Sequence, residues 1–165
     1  MENSGSSLPF GSNERIIEIL ALLLLLFMCF YAAWEFGSLP ETIPNHFNGK
    51  GEADSLGSKA SVFIGPGIAI FTYILMYFAG KVSPENYNFP VKITAENKVY
   101  QYALGRLMLK VVNLWGMLLM AFITWGTIQT ANRYSGAMNP IILWGLIGGL
   151  FVVLGWYLWT AKKAV

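Results

Sequence analysis

The sequence predicts an all-α integral membrane protein, a four-helix bundle with an ordered extracytoplasmic loop between its first and second helices. Three observations carry that expectation. The 165 residues are 55% hydrophobic and 12% charged, with a mean hydropathy of +0.51, far from soluble norms. Four apolar runs, at about 16–34, 60–80, 107–128 and 141–159, each match the ~20 residues a helix needs to cross a hydrocarbon core about 30 Å thick. Between the first two runs lies LPETIPNHFNGKGEADSLGSK, from Leu39 to Lys59, a stretch dense in polar and turn-forming residues and longer than a simple connector requires.

Taken in order, residues 1–12 are rich in Ser, Gly and Asn and read as a disordered tail, which leaves 13–165 as a single membrane domain. The first run is longer than a signal-peptide core of about 7 to 15 residues and ends in Tyr31-Ala32-Ala33-Trp34, a poor cleavage site, so it reads as a retained helix. It contains Cys29, the only cysteine, which excludes an intramolecular disulfide. In the loop, Pro40 and Pro44 stiffen an extended entry. Asn48-Gly49-Lys50-Gly51 supplies a reversal, and Asp54, Ser55 or Ser58 is placed to cap the second helix. The expected result is a fixed lid with His46, Asn48 and Asp54 at its hydrogen-bonded centre. On that reading His46→Ala costs about 1 to 3 kcal/mol by leaving a partner unpaired.

Between the second and third runs, Pro84 and Pro90 precede Thr94-Ala95-Glu96-Asn97. Thr94 can cap a helix, and Glu96 sits near its positive end, so a short amphipathic helix is expected at roughly 95–104, with a bend at Gly105. In the fourth run, Gly145 to Gly149 forms a pattern of small residues that admits close helix approach. Packing inside the bundle is the expected use, and homodimerisation through Gly145 and Gly149 is the alternative.

Four spans place both termini and the 81–106 segment on one side. That side holds Arg15, Lys81, Lys92, Lys98, Arg106, Lys110, Lys162 and Lys163, against Lys50, Lys59 and Arg133 on the other. Because cytoplasmic flanks carry the Lys/Arg excess, both termini are expected on the cytoplasmic side and the histidine-bearing loop outside. Aromatic residues such as Trp34, Trp125 and Trp156 fall where interfacial belts lie.

A net charge of +2 with dispersed basic residues argues against nucleic-acid binding. One His and one Cys are a poor donor set for a transition metal. No P-loop, nucleophile elbow or H-E-x-x-H occurs, so neither an enzyme nor a cofactor is expected. Polar residues in spans are functional candidates because hydrocarbon penalises them. These are Glu18, Arg106, Lys110 and Asn113. Glu18 and Lys110 lie near span ends and are expected to snorkel. Spacings of four and three put Arg106, Lys110 and Asn113 on one helix face, so a Glu18–Lys110 pair is the alternative, and with it a small transporter or transporter accessory.

The loop pattern Leu39-Pro40-x-x-Ile43-Pro44-x-His46-Phe47-Asn48-x-x-Gly51-x-x-Asp54-x-x-Gly57-Ser58-Lys59, followed by Pro66, closely resembles the bacterial membrane domain of unknown function 1648. The later Pro90-x-x-Ile93-Thr94-x-Glu96-Asn97-x-x-x-Gln101-Tyr102 is similar to the same pattern. That domain also forms the N-terminal part of an immunity protein against a sporulation-delay toxin peptide, which is longer and carries further spans. The resemblance implies a bacterial integral membrane protein of the cytoplasmic membrane, and together with the long, ordered loop it motivates an immunity-like or envelope-sensing binding role, while the absent motifs make it non-enzymatic. Its loop residues Pro40, Pro44, His46, Asn48, Gly51, Asp54 and Lys59 would then be structural or in contact with an extracellular peptide or another membrane protein.

Overall fold

The computed structural model describes residues 12–132 and 138–163. Residues 1–11 of the expected tail, and Arg133, lie outside them. Four helices, α1 (Ser12–Glu35), α2 (Ile64–Ala79), α3 (Lys98–Ala131) and α4 (Pro140–Lys163), cover the four apolar runs, and all four belong to segments long and apolar enough to cross a membrane. A 3-10 turn at Lys59–Phe63 leads into α2, begun by Ser58, whose hydroxyl accepts from the Ala60 amide at 3.4 Å. Ser58 thus caps the 3-10 turn, whereas α2 itself begins from Phe63 with no side-chain cap, so none of the three candidates caps it directly.

The fold is not purely helical. The connection from α1 to α2 is an antiparallel hairpin of β1 (Thr42–Phe47) and β2 (Ala53–Ser58). Its turn is organised by one side chain. Asn48 Oδ1 accepts from the amides of Lys50 and Glu52 at 2.9 and 3.1 Å, and Asn48 Nδ2 donates to Glu52 Oε2 at 2.9 Å. Such side-chain-to-backbone bonds favour turns over helix. A hairpin alone is marginal in water, and this one is held by what it lies on. Ile43 and Pro44 are buried while Asn45 and His46 face out, and Ile43 packs in a cluster with Ala32, Leu39, Val62, Ile128 and Ala131. At the tip, Trp144 Nε1 donates to the Gly49 carbonyl at 2.9 Å. The hairpin thus spans from the end of α1, over the end of α3, to the start of α4, which is the expected lid.

At about 1.5 Å rise per residue, the 34 residues of α3 extend about 51 Å, well beyond a hydrocarbon core of about 30 Å. The expected short helix at 95–104 and the bend at Gly105 are replaced by continuous helix. The helix also starts later than Thr94 suggested, with Asn97 as its N-cap and no side-chain cap bond; instead Asn97 Oδ1 accepts from the Thr94 amide at 2.8 Å, and Thr94 Oγ1 accepts from the Asn97 amide at 3.4 Å, closing the turn that precedes it. The Thr94 hydroxyl, and after it the backbone, also hold the Glu96 carboxyl below the ordinary carboxylate range. Gly105 serves contact instead of bending, since a Cβ there would meet Phe89 at 3.1 Å and Tyr87 at 3.4 Å.

Every other helix packs on α3, and among the described residues α4 packs on no other helix. A second apolar cluster, Ala21, Leu25, Met28, Ala69 and Met117, joins α1, α2 and α3 at mid-span. The α3–α4 contact is fixed by Trp115, whose Nε1 donates to the Leu146 carbonyl at 2.6 Å and whose ring occupies the space where Gly149 would otherwise carry a Cβ. Gly149 is thereby used inside the chain, whereas a Cβ on Gly145 would meet nothing within 4 Å.

Gly51 is the position where the hairpin depends most on glycine. Its φ is +79°, and a Cβ would run into the Met138 carbonyl and stand 3.3 Å from Pro140. Left-handed backbone costs about 1–2 kcal/mol for residues other than glycine, and the collision adds to it. Gly51→Ala is expected to lower the melting temperature in detergent, while Gly145→Ala leaves it unchanged. Equal melting of the two variants would mean that the hairpin is not docked on the α3–α4 connection.

Candidate functional site

Two clusters at opposite ends of the bundle collect the polar residues that the sequence singles out. The first is the outward face of the hairpin. Two register shifts interrupt the ladder, with Pro44 opposite Leu56, His46 opposite Ser55 and Phe47 opposite Ala53, so Asn45 and Asp54 are the extra residues on their strands. Bulges re-aim side chains, and here Asp54 is turned onto His46, with His46 Nδ1 and Asp54 Oδ1 2.5 Å apart. At the base of the hairpin, the Lys59 ammonium donates to Glu41 Oε1 at 2.8 Å and lies 5.2 Å from the Phe36 ring centroid.

The expected centre of His46, Asn48 and Asp54 is therefore two separate units. Asn48 bonds to its own turn and to Glu52, and His46 bonds to Asp54. The side chains of His46 and Asp54 are 68% and 41% exposed, so their pair contributes on the scale of surface ion pairs, about 0–1 kcal/mol. That corrects the larger loss expected from sequence. Pro40 is exposed and Pro44 buried, so only the second proline packs against the bundle. Among the described residues, no group of three or more His, Cys, Asp or Glu side chains gathers as a metal site would require.

The second cluster joins α1 to α3. Lys110 Nζ lies 2.8 Å from Glu18 Oε1, and Arg106 Nη2 lies 3.9 Å from Glu14 Oε1. Lys110 does not snorkel: its side chain is 9% exposed, and that of Glu18 27%. Burial and pairing inside the protein replace the reach to the interface that sequence position suggested. Asn113 continues the same face, buried, with its Oδ1 unpartnered among the described residues. The sequence reading missed Glu14, which precedes the first apolar run. Its signal was available, because Glu14 and Glu18 are four apart, as are Arg106 and Lys110, and matched spacings on parallel helices form rungs.

Residues 23–70 match the family model of a domain of unknown function, DUF1648. The match runs from within α1, through the hairpin, into the first turns of α2, so the hairpin lies inside the matched region and all four residues of the two ion pairs lie outside it. No curated protein and no solved structure matches the chain.

Removing one member of a buried ion pair strands the other, at about 3–5 kcal/mol, whereas replacing both with apolar residues is often close to neutral. Lys110→Leu is expected to destabilise the protein in detergent far more than the Glu18→Leu/Lys110→Leu double variant. A double variant at least as unstable as the sum of the single changes would show that the pair is not coupled. His46→Ala and Asp54→Ala are each expected to lose no more than about 1 kcal/mol, read by the same melts with and without chelator. A loss abolished by chelator would assign His46 to a metal.

Proposed function

We propose that this DUF1648-domain membrane protein is a non-enzymatic binding protein of the bacterial cytoplasmic membrane. Its hairpin faces outward and recognises an extracellular peptide or another membrane protein, in an immunity-like or envelope-sensing role. The observation that carries this reading is the hairpin itself: anchored through Ile43, Gly51 and Trp144 to the ends of α1, α3 and α4, it leaves His46 and Asp54 exposed. A polar surface whose backbone is already fixed binds without first losing loop entropy. The outward orientation rests on the eight-to-three distribution of Lys and Arg between the two sides.

A second reading, a small transporter or transporter accessory, is favoured by the buried charges of Glu14, Glu18, Arg106 and Lys110, since ionisable groups within spans often mark substrate or proton paths. The Glu18→Leu/Lys110→Leu double variant separates the two, because it removes the pair inside the spans, leaving Glu14 and Arg106 at their ends, while sparing stability. The binding reading expects it to function, and the transport reading expects it to be inactive.

A strain lacking the protein is expected to become more sensitive to toxic peptides or envelope-active compounds. Complementation should restore resistance with wild type and fail with His46→Ala/Asp54→Ala expressed at wild-type levels. An unchanged sensitivity profile on deletion rules out the immunity-like role. A periplasm-active reporter is expected to give signal within 45–52 and none after Val165, and the reverse pattern inverts the topology.

A further inference from the structure

The two strands of the hairpin differ at their outer edges. The Lys59 amide donates to the Glu41 carbonyl at 2.9 Å, so 41 and 59 form a hydrogen-bonded pair just before the ladder begins. Bonded and non-bonded pairs alternate along antiparallel strands. With Thr42 opposite Ser58, Ile43 opposite Gly57 and Pro44 opposite Leu56, the next bonded pair is 43 with 57, and the backbone groups of 42, 44, 56 and 58 turn outward. On β1 that edge is closed. Pro44 has no N–H to offer, Ile43 and Pro44 are both buried, and the strand packs on α3 and on the 3-10 turn. Proline at such a position is one of the devices that blunt a sheet edge.

The edge of β2 has no such cover. Among the described residues β2 packs on no spanning helix, five of its six residues are exposed, and it contains neither proline nor lysine. The Ser58 carbonyl is taken by the Ser61 hydroxyl at 2.6 Å. That leaves the Leu56 N–H and C=O and the Ser58 N–H along the free edge, with the two residues about 7 Å apart at the rise of an extended chain. Leu56 is also the one large apolar side chain of the strand, and it is 65% exposed. Backbone donors and acceptors that recur at every second residue are matched by another extended backbone, which is how peptides add to an open sheet edge. Water satisfies these groups while the edge is free, so an added strand exchanges partners and leaves neither side unpaired.

We infer that an extended peptide pairs with β2 as a third strand, its backbone bonding to Leu56 and Ser58 and an apolar side chain lying beside that of Leu56, where cross-strand neighbours pack. The inference rests on the hairpin being the recognition surface proposed above, and it names the mode: main-chain pairing at the edge, with side chains selected by Leu56 and the adjoining His46–Asp54 face.

The test combines amide hydrogen exchange on the full-length protein in nanodiscs with complementation of the deletion strain, using as probe the toxic peptide to which that strain is most sensitive. In wild type the Gly57 amide, inside the ladder, is expected to exchange slowly and the Leu56 and Ser58 amides fast, and the peptide should slow those two by about tenfold or more. Leu56→Pro removes an edge N–H and no ladder bond, as Pro44 does on the opposite strand. It is expected to keep the wild-type melting temperature and to raise sensitivity to the peptide by about tenfold or more; should it melt lower, the exchange measurement on wild type decides. Leu56 and Ser58 amides that are protected without peptide, or unchanged by it, overturn the inference. Full complementation by Leu56→Pro where His46→Ala/Asp54→Ala fails also overturns it, while leaving the hairpin as the recognition surface. A deletion strain indifferent to every toxic peptide removes that reading and the inference with it.

Discussion

The structure depends first on how α1 is set against α3. Two acidic residues one turn apart on α1 meet two basic residues one turn apart on α3, with Glu14, Arg106 and Lys110 buried and Glu18 half-buried. An apolar helix face can slide by a turn against another with little change in burial, because in a bilayer one aliphatic contact replaces another. A ladder of charges cannot, since a slip of one turn leaves a carboxylate at one end and an ammonium at the other without partners. Specificity of register is the best-attested use of buried polar groups, and here it fixes the helix on which every other helix packs.

From that fixed pair the rest follows by contact. The end of α3 supplies Ile128 and Ala131 as the floor on which Ile43 of the hairpin lies. Its middle supplies Met117 to the mid-span cluster and Trp115 to α4. Its start supplies Gln101, whose amide nitrogen donates to the Ala161 carbonyl at 2.8 Å and ties down the last turn of α4. The two ends of the protein, one bearing the hairpin and the other the charge pairs between α1 and α3, are thus held a fixed distance apart by one continuous helix.

Much of this was legible in the sequence, and for identifiable reasons. Span length and apolar composition located all four helices, because a bilayer imposes a length that few other constraints do. The reversal after Asn48 was visible because it is local, while the cap read at Thr94 belongs to the turn before the helix. What failed was non-local. Gly105 was read as a bend because its neighbours in sequence suggest one, while its use is to admit Phe89 and Tyr87 from a preceding segment. Strand pairing was missed because Pro44 and two register shifts interrupt the alternation that marks strands. The depth of Lys110 was misjudged because snorkelling depends on what the neighbouring helix presents, and Glu14 lay outside the run that defined that helix.

The contact between the hairpin tip and α4 has a consequence for biogenesis. Gly49 and Trp144 are 95 positions apart, and Met138, which crowds Gly51, also belongs to the segment before α4. At about 5–20 residues per second, the ribosome needs about 5–20 seconds after completing the hairpin to make the residues that receive it. At its start only α1 and the hairpin have been synthesised, and although α2 and α3 follow during it, the tip has no seat. Its turn is held only by the bonds of Asn48, which close within ten residues and need nothing from the rest of the chain. The local turn chemistry therefore acts as a holding pattern, keeping the strands in order until the last helix arrives.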